Sequence, residues 1–148
     1  MRISAKGRYA LAAMIHIAQN SVSEECITVI SIADKLGISK IYLEQVFSLL
    51  KRGGLVTSIK GAQGGYQLSR MPRQITVLDG LSAIEHSLFE KTEGTVQDKA
   101  PDIEAVMLRS VFNELDEAIR STLQKVTLEY LLNEAAKLKK GQGYMYYI

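Results

Sequence analysis

Two short amphipathic segments, each opened by a serine and closed by glycine, run directly into a glycine-rich hairpin between residues 31 and 68. Ser31 stands three residues before Asp34, the Ser/Thr-x-x-acid spacing that caps a helix start, and Ile32, Ala33 and Leu36 recur at helical spacing before Gly37. Ser39 caps the second segment. Within it Leu43, Val46, Phe47 and Leu50 fall at i, i+3, i+4 and i+7, which leaves Lys40, Tyr42, Glu44, Gln45 and Ser48 off the apolar stripe. Gly53 and Gly54 supply the freedom a helix end uses. Residues 55–59 and 66–68 then read as short strands around Lys60, Gly61, Ala62, Gln63, Gly64 and Gly65. A glycine-rich hairpin by itself is usually no more than a turn. Directly behind a capped helix pair it completes a winged helix-turn-helix, a mainly α fold with a small β-hairpin. In that arrangement the second helix enters the major groove of DNA with its first residues, here Ser39 to Gln45, reaching base edges.

The net charge of +2 hides an uneven distribution. Residues 1–73 hold ten Lys/Arg against four Asp/Glu, net +6, whereas residues 74–148 hold eight against twelve, net −4. One end is therefore suited to neutralise phosphates and the other to a different task. An apolar fraction of 47% with 23% charged residues excludes general disorder.

Arg2, Lys6 and Arg8 precede the apolar run of residues 9–18, an order that a signal peptide shares. His16 interrupts the run, no clear small-residue cleavage site follows, and the single Cys gives no disulfide framework for an exported protein. No stretch approaches the roughly 20 apolar residues of a membrane span, so the expectation is a cytoplasmic protein with no membrane partner. The segment reads better as a first helix capped by Ser4, with Leu11, Met14, Ile15 and Ala18 towards the core. Its three cations oppose the helix dipole, an unfavourable placement that points to phosphate as their partner.

Past Pro72, Thr76 and Asp79 cap a helix through Val77, Leu78, Leu81, Ile84 and Glu85, which closes the DNA-binding core. Residues 87–101 are polar and lack sustained periodicity, the signature of a loop or linker. From Asp102 to about Lys125 a long helix is signalled by Ile103, Met107, Val111, Leu115, Ile119 and Leu123, with Val106, Leu108 and Phe112 beside that row. A stripe this wide exceeds one packing contact. An ordinary core helix is one reading; a homodimer is the other, favoured because helix-turn-helix proteins read half-sites about 34 Å apart as dimers. Thr127 caps a last helix through Leu128, Leu131, Leu132, Ala135 and Leu138, with Lys137, Lys139 and Lys140 at its end and Gly141 and Gly143 stopping it. The tail residues Tyr144, Met145, Tyr146, Tyr147 and Ile148 are costly to leave in water. They either dock on the dimer helices or offer the terminal carboxylate to a partner. The division is thus a winged-helix domain over residues 1–86, a linker over 87–101, and dimerisation helices with an apolar tail over 102–148.

These motifs resemble the family of small bacterial winged-helix repressors that includes the iron–sulfur regulator IscR, the nitric-oxide regulator NsrR and the cysteine-metabolism repressor CymR. The resemblance spans nearly the whole chain. It is carried by ISAKGRYAL at residues 3–11, IS..YLEQ at 38–45, GLV.S.KG..GGY at 54–66, and the Ile75-Thr76 start of the fourth helix. It implies a dimeric repressor of double-stranded DNA whose YLEQ helix reads bases through Tyr42, Glu44 and Gln45 and whose wing reaches the minor groove. Glu44 is suited to accept a hydrogen bond from cytosine N4. The candidate DNA-binding set is Arg2, Lys6, Ser39, Lys40, Tyr42, Glu44, Gln45, Ser58, Lys60, Gly61, Gln63 and Gly64. Lys60 stands where the family usually has Arg, so the fork geometry of a guanidinium is lost there.

Cluster-binding members carry three cysteines in the linker, and this chain has none from Ser87 onward. No cofactor is expected, and His16 and His86 are too isolated to replace the thiolates. Cys26 leaves a redox-responsive repressor as an alternative, although Glu24 and Glu25 beside it disfavour the reactive thiolate. The missing cysteines and the YMYYI ending are similar to the CymR-like branch. That likeness implies repression of sulfur and cysteine uptake genes together with cysteine synthase (O-acetylserine thiol-lyase), opposed by O-acetylserine. Ile148 would imitate the C-terminal isoleucine that serine acetyltransferase inserts into that enzyme. An adaptor acting on cysteine synthase without DNA is the other alternative. An enzyme is not expected: no Ser/His/Asp order, His-x-x-x-His pair or nucleotide loop is present.

Overall fold

The computed structural model describes residues 3–20, 27–61, 64–91 and 93–147, with side chains described as far as residue 142. Arg2, Cys26, Gln63 and Ile148 lie outside the described residues, and of Tyr144, Met145, Tyr146 and Tyr147 only the backbone is described. The chain forms α1 (Ala5–Gln19), α2 (Val29–Leu36), α3 (Lys40–Arg52), the hairpin β1 (Val56–Ile59) and β2 (Gly65–Leu68), and a 3-10 turn at Pro72–Gln74. Then follow α4 (Val77–Ile84), α5 (Pro101–Met107), a π turn (Leu108–Phe112), α6 (Asn113–Gln124) and α7 (Leu128–Tyr147). This is the mainly helical winged helix that the residue pattern predicts.

Side-chain caps set most of the helix starts. Ser4 accepts from the Gly7 N–H at 3.0 Å and Ser39 from the Tyr42 N–H at 3.2 Å. Thr76 and Asp79 form a reciprocal box, the Asp79 N–H donating to Thr76 Oγ1 at 3.1 Å and the Thr76 N–H to Asp79 Oδ2 at 2.9 Å. The start of α2 departs from expectation. Its cap is Thr28, whose hydroxyl accepts from the Ser31 N–H at 3.1 Å, while Ser31 lies inside the helix and its own hydroxyl donates to the Thr28 carbonyl. The Ser31/Asp34 spacing imitates a capping box, but beginning at Thr28 adds Val29 to the apolar face that Ile32, Ala33 and Leu36 turn inward.

Core burial on α3 follows the stripe, with Leu43, Val46, Phe47 and Leu50 all fully inaccessible. Phe47 stacks on Tyr66 of β2, ring centroids 4.3 Å apart and planes within 7°. The hairpin is antiparallel, pairing Val56 with Leu68 and Ile59 with Gly65. On α1 the inward face is set one position differently from the large-residue pattern. Ala10, Ala13, Met14, Ile17 and Ala18 are buried, whereas Leu11 and Ile15 pack only partly against the core. Small residues allow the closer approach: Gly80 of α4 leaves room for the Met14 methyl, which any Cβ there would strike.

The second half is tied to the first through backbone. The Val77 N–H donates to the Val126 carbonyl at 2.8 Å and the Leu128 N–H to the Ile75 carbonyl at 2.9 Å, so Leu128 at the start of α7 enters the core completely. Two further expectations are corrected. The helix from Pro101 to Gln124 is interrupted by the π turn, and α7 continues through Gly141 and Gly143 to Tyr147. Glycine lowers helix propensity by about 1 kcal/mol but keeps its N–H donor, so it weakens a helix without stopping it.

Thr28→Ala should lower unfolding stability by about 1 kcal/mol, the usual cost of a lost cap. Ser31→Ala should stay within about 0.5 kcal/mol, as for surface changes away from such features. Urea unfolding midpoints compare the two, and the reverse ranking would return the cap to Ser31.

Candidate nucleic-acid interface

The buried stripe of α3 fixes which side chains face outward. Lys40, Ile41, Glu44 and Gln45 are exposed on its first turns, and Tyr42 is half-buried. Lys40 Nζ lies 3.9 Å from Glu44 Oε1. Both side chains are more than half exposed, so this i, i+4 pair contributes little and is easily exchanged for another partner.

The start of α1 comes up beside that helix. Tyr9 packs edge-on against Tyr42 with centroids 5.5 Å apart and planes at 83°, and Lys6 Nζ lies 6.0 Å from the centre of the Tyr42 ring. Tyr9 was not among the residues the sequence singled out; its place in the first-helix motif was the only signal. The N-terminus of α1 already holds an anion. Glu85, at the end of α4, accepts from the Ser4 N–H at 2.8 Å and from the Ser4 hydroxyl. An internal carboxylate thus complements the dipole of the helix start that Lys6 and Arg8 oppose.

From the last turn of α3, Lys51 Nζ donates to Ser58 Oγ of β1 at 2.8 Å and ties the helix to the hairpin. Lys60 and Gly61 are exposed at its tip, and Gly64 adopts φ +59°, the left-handed region that favours glycine. A groove of about 420 Å³ runs between the start of α2, the start of α3 and the hairpin, lined among others by Ile30, Lys40, Glu44, Ser58 and Gly64. The fold thus gathers Lys6, Ser39, Lys40, Tyr42, Glu44 and Gln45 at one helix end, with Ser58, Lys60, Gly61 and Gly64 across the groove. Arg2 and Gln63 lie outside the described residues.

A second feature lies in the loop after α4. Glu104 of α5 accepts from the Val96 N–H at 3.0 Å, and from the Thr95 N–H and hydroxyl at 3.2 Å each. These bonds, the Val96 amide foremost, hold its carboxyl below the ordinary value against a smaller opposing effect of burial. Arg120 covers the Phe89 ring at 4.1 Å. The His16 pKa is pushed down chiefly by burial, with Lys35 adding to this and a bond to Gln19 opposing it; among the described residues no group of three or more His, Cys, Asp or Glu is placed to hold a metal ion. No described helix is long and apolar enough to cross a membrane.

Comparison with known proteins agrees with this architecture. A family model described as Rrf2, iron-dependent transcriptional regulator, matches residues 3–134. The HTH-type transcriptional regulator IscR of Xenorhabdus nematophila is 36% identical over 132 residues, covering 89% of this chain and 79% of that protein. IscR of Pectobacterium atrosepticum is 34% identical over 133 residues, covering 90% and 80%. Among solved structures, IscR of T. potens superposes with a TM-score of 0.74 at 36% identity, covering 99% of this chain and 96% of that one. CymR, the global cysteine regulator of B. subtilis, gives 0.72 at 34% identity, covering 90% and 98%. The named relatives are transcriptional regulators, not enzymes. Residues 87–148 contain no cysteine thiolate, the usual ligand of an iron–sulfur cluster, and both oxygens of Glu104 are engaged by Thr95 and Val96.

Because Glu104 has a lowered folded-state pKa, its hold on the loop is present above the ordinary carboxylate value of about 4.3 and is lost as pH falls through the lowered one. Amide protection at Thr95 and Val96, corrected for intrinsic exchange, should therefore fall on acidification. Glu104→Ala should remove it at neutral pH, as hydrogen exchange by NMR would read. Protection that ignores residue 104 would place the clasp elsewhere.

Proposed function

The chain belongs to the Rrf2 family of transcriptional regulators, and from that premise we propose that it is a homodimeric DNA-binding repressor of sulfur and cysteine metabolism genes that works in the cytoplasm without an iron–sulfur cluster. The observation that carries this reading is the polar, outward face of α3 set across a groove from a lysine- and glycine-bearing wing. Residues 1–86 meet the duplex. Tyr42, Glu44 and Gln45 reach base edges in the major groove, Arg2, Lys6, Ser39 and Lys40 take phosphates, and Ser58, Lys60, Gly61, Gln63 and Gly64 follow the adjacent backbone into the minor groove.

Residues 102–148 pair two copies. Ile103, Val106, Leu108, Val111, Phe112 and Leu115 are all exposed, a row that a single chain leaves in water. A second copy covers it and sets two recognition helices on successive turns of the duplex. Support for the cysteine-metabolism assignment is the likeness to CymR, the absence of thiols after Cys26, and the ending Tyr144, Met145, Tyr146, Tyr147 and Ile148. On this reading residues 144–148 supply the contact with cysteine synthase.

Gel shifts on promoter fragments at several salt concentrations test the DNA reading. Lys40→Ala and Lys60→Ala should each weaken binding to all sequences and flatten the logarithmic salt slope by about one unit. Glu44→Ala should relax preference at one base pair, worth about 1–3 kcal/mol. The free protein should sediment at twice the chain mass; a monomer that ignores promoter DNA in dilute buffer ends the proposal.

Deleting residues 144–148 should abolish binding to cysteine synthase in calorimetry while leaving DNA affinity intact. Unchanged affinity for the enzyme would remove the tail from that role.

A further inference from the structure

Ile41 is 73% exposed, the most accessible large apolar side chain among the described residues. It stands in the first turns of α3, where a β-branched residue has no helix-forming advantage. The buried residues Leu43, Val46, Phe47 and Leu50 define the inward side of this helix. Ile41 points the opposite way, one turn before Glu44 and Gln45 and on the same face as both. It does not line the groove towards the wing, and it lies on a different element from the apolar row of α5 and α6. Packing within the chain does not account for it.

We infer that Ile41 is a specificity-determining residue that packs on the C5-methyl group of a thymine in the major groove. The inference rests on the DNA reading above and goes beyond it by naming a base and an atom. On the major-groove edges of the four bases the thymine methyl is the apolar feature, and an aliphatic side chain meets it without stranding a hydrogen-bonding group. The neighbouring side chains are polar and suited to donor and acceptor edges; Ile41 alone among them has no polar atom to offer. Side chains at i and i+4 lie about 5–6 Å apart, less than two base-pair steps of about 3.4 Å. The thymine therefore falls within two base pairs of the base that Gln45 reads.

The test uses the full chain and an operator duplex selected by the natural protein from a random-sequence pool. Each thymine is replaced in turn by deoxyuridine, which removes the methyl and nothing else. The expected result is one position per half-site where the replacement weakens binding roughly three- to tenfold, the scale of one buried methyl group. Ile41→Ser should bind the thymine and deoxyuridine duplexes equally, whereas Ile41→Val should keep the difference. If the natural chain binds its duplex tightly but no position shows a methyl effect that depends on residue 41, this inference falls and the DNA reading stands. If no duplex is selected at all, both fall together.

Discussion

Phe47 lies flat against Tyr66, and that contact packs α3 on the hairpin from the inside. Phe47 comes from the inward stripe of α3 and Tyr66 from β2, whose backbone also pairs with Ile27 ahead of α2. A stacked aromatic pair contributes about 0.5–1.5 kcal/mol beyond its buried area, and here it does so where three elements meet. The outward faces follow from it. Once Leu43, Val46, Phe47 and Leu50 are inside, Ser39, Lys40, Ile41, Glu44 and Gln45 have one direction left.

The same logic extends to the ends of the fold. Tyr9 and Lys6 on α1 meet Tyr42 on α3, while Ser4 at the start of α1 is held by Glu85 at the end of α4. Glu85 is followed by the loop that Glu104 clasps through Thr95 and Val96. These contacts tie the ends of α1, α3 and α4 to one another, and a pre-formed geometry of that kind is what the proposed reading of bases by α3 requires.

In contrast, α5, the π turn and α6 bury none of their residues. Their apolar row was legible from the four-residue spacing, and so was its excess width. The π turn was not: one additional residue in a turn leaves no mark in a hydrophobic pattern that remains apolar on both sides of it. The passage of α7 through two glycines escaped for a related reason, since a propensity is a bias and the hydrogen-bond ladder decides where a helix ends.

Local chemistry sufficed for whatever depends on neighbours in the chain. Ser39 as a cap, the buried stripe of α3, the Thr76–Asp79 box, the hairpin and the basic lobe are statements about residues a few positions apart, and period and capping encode them directly. Contacts between distant residues had no such record. Ser4 meets Glu85 across 81 positions, Tyr9 finds Tyr42, and Leu128 enters a core built from the first half of the chain. Even the choice of Thr28 over Ser31 was tertiary, since both residue types are good caps and starting at Thr28 adds Val29 to the packing of Ile32, Ala33 and Leu36. Sequence determined where the helices lie and most of their apolar stripes; close packing decided which residues of α1 turned inward and what each face would touch.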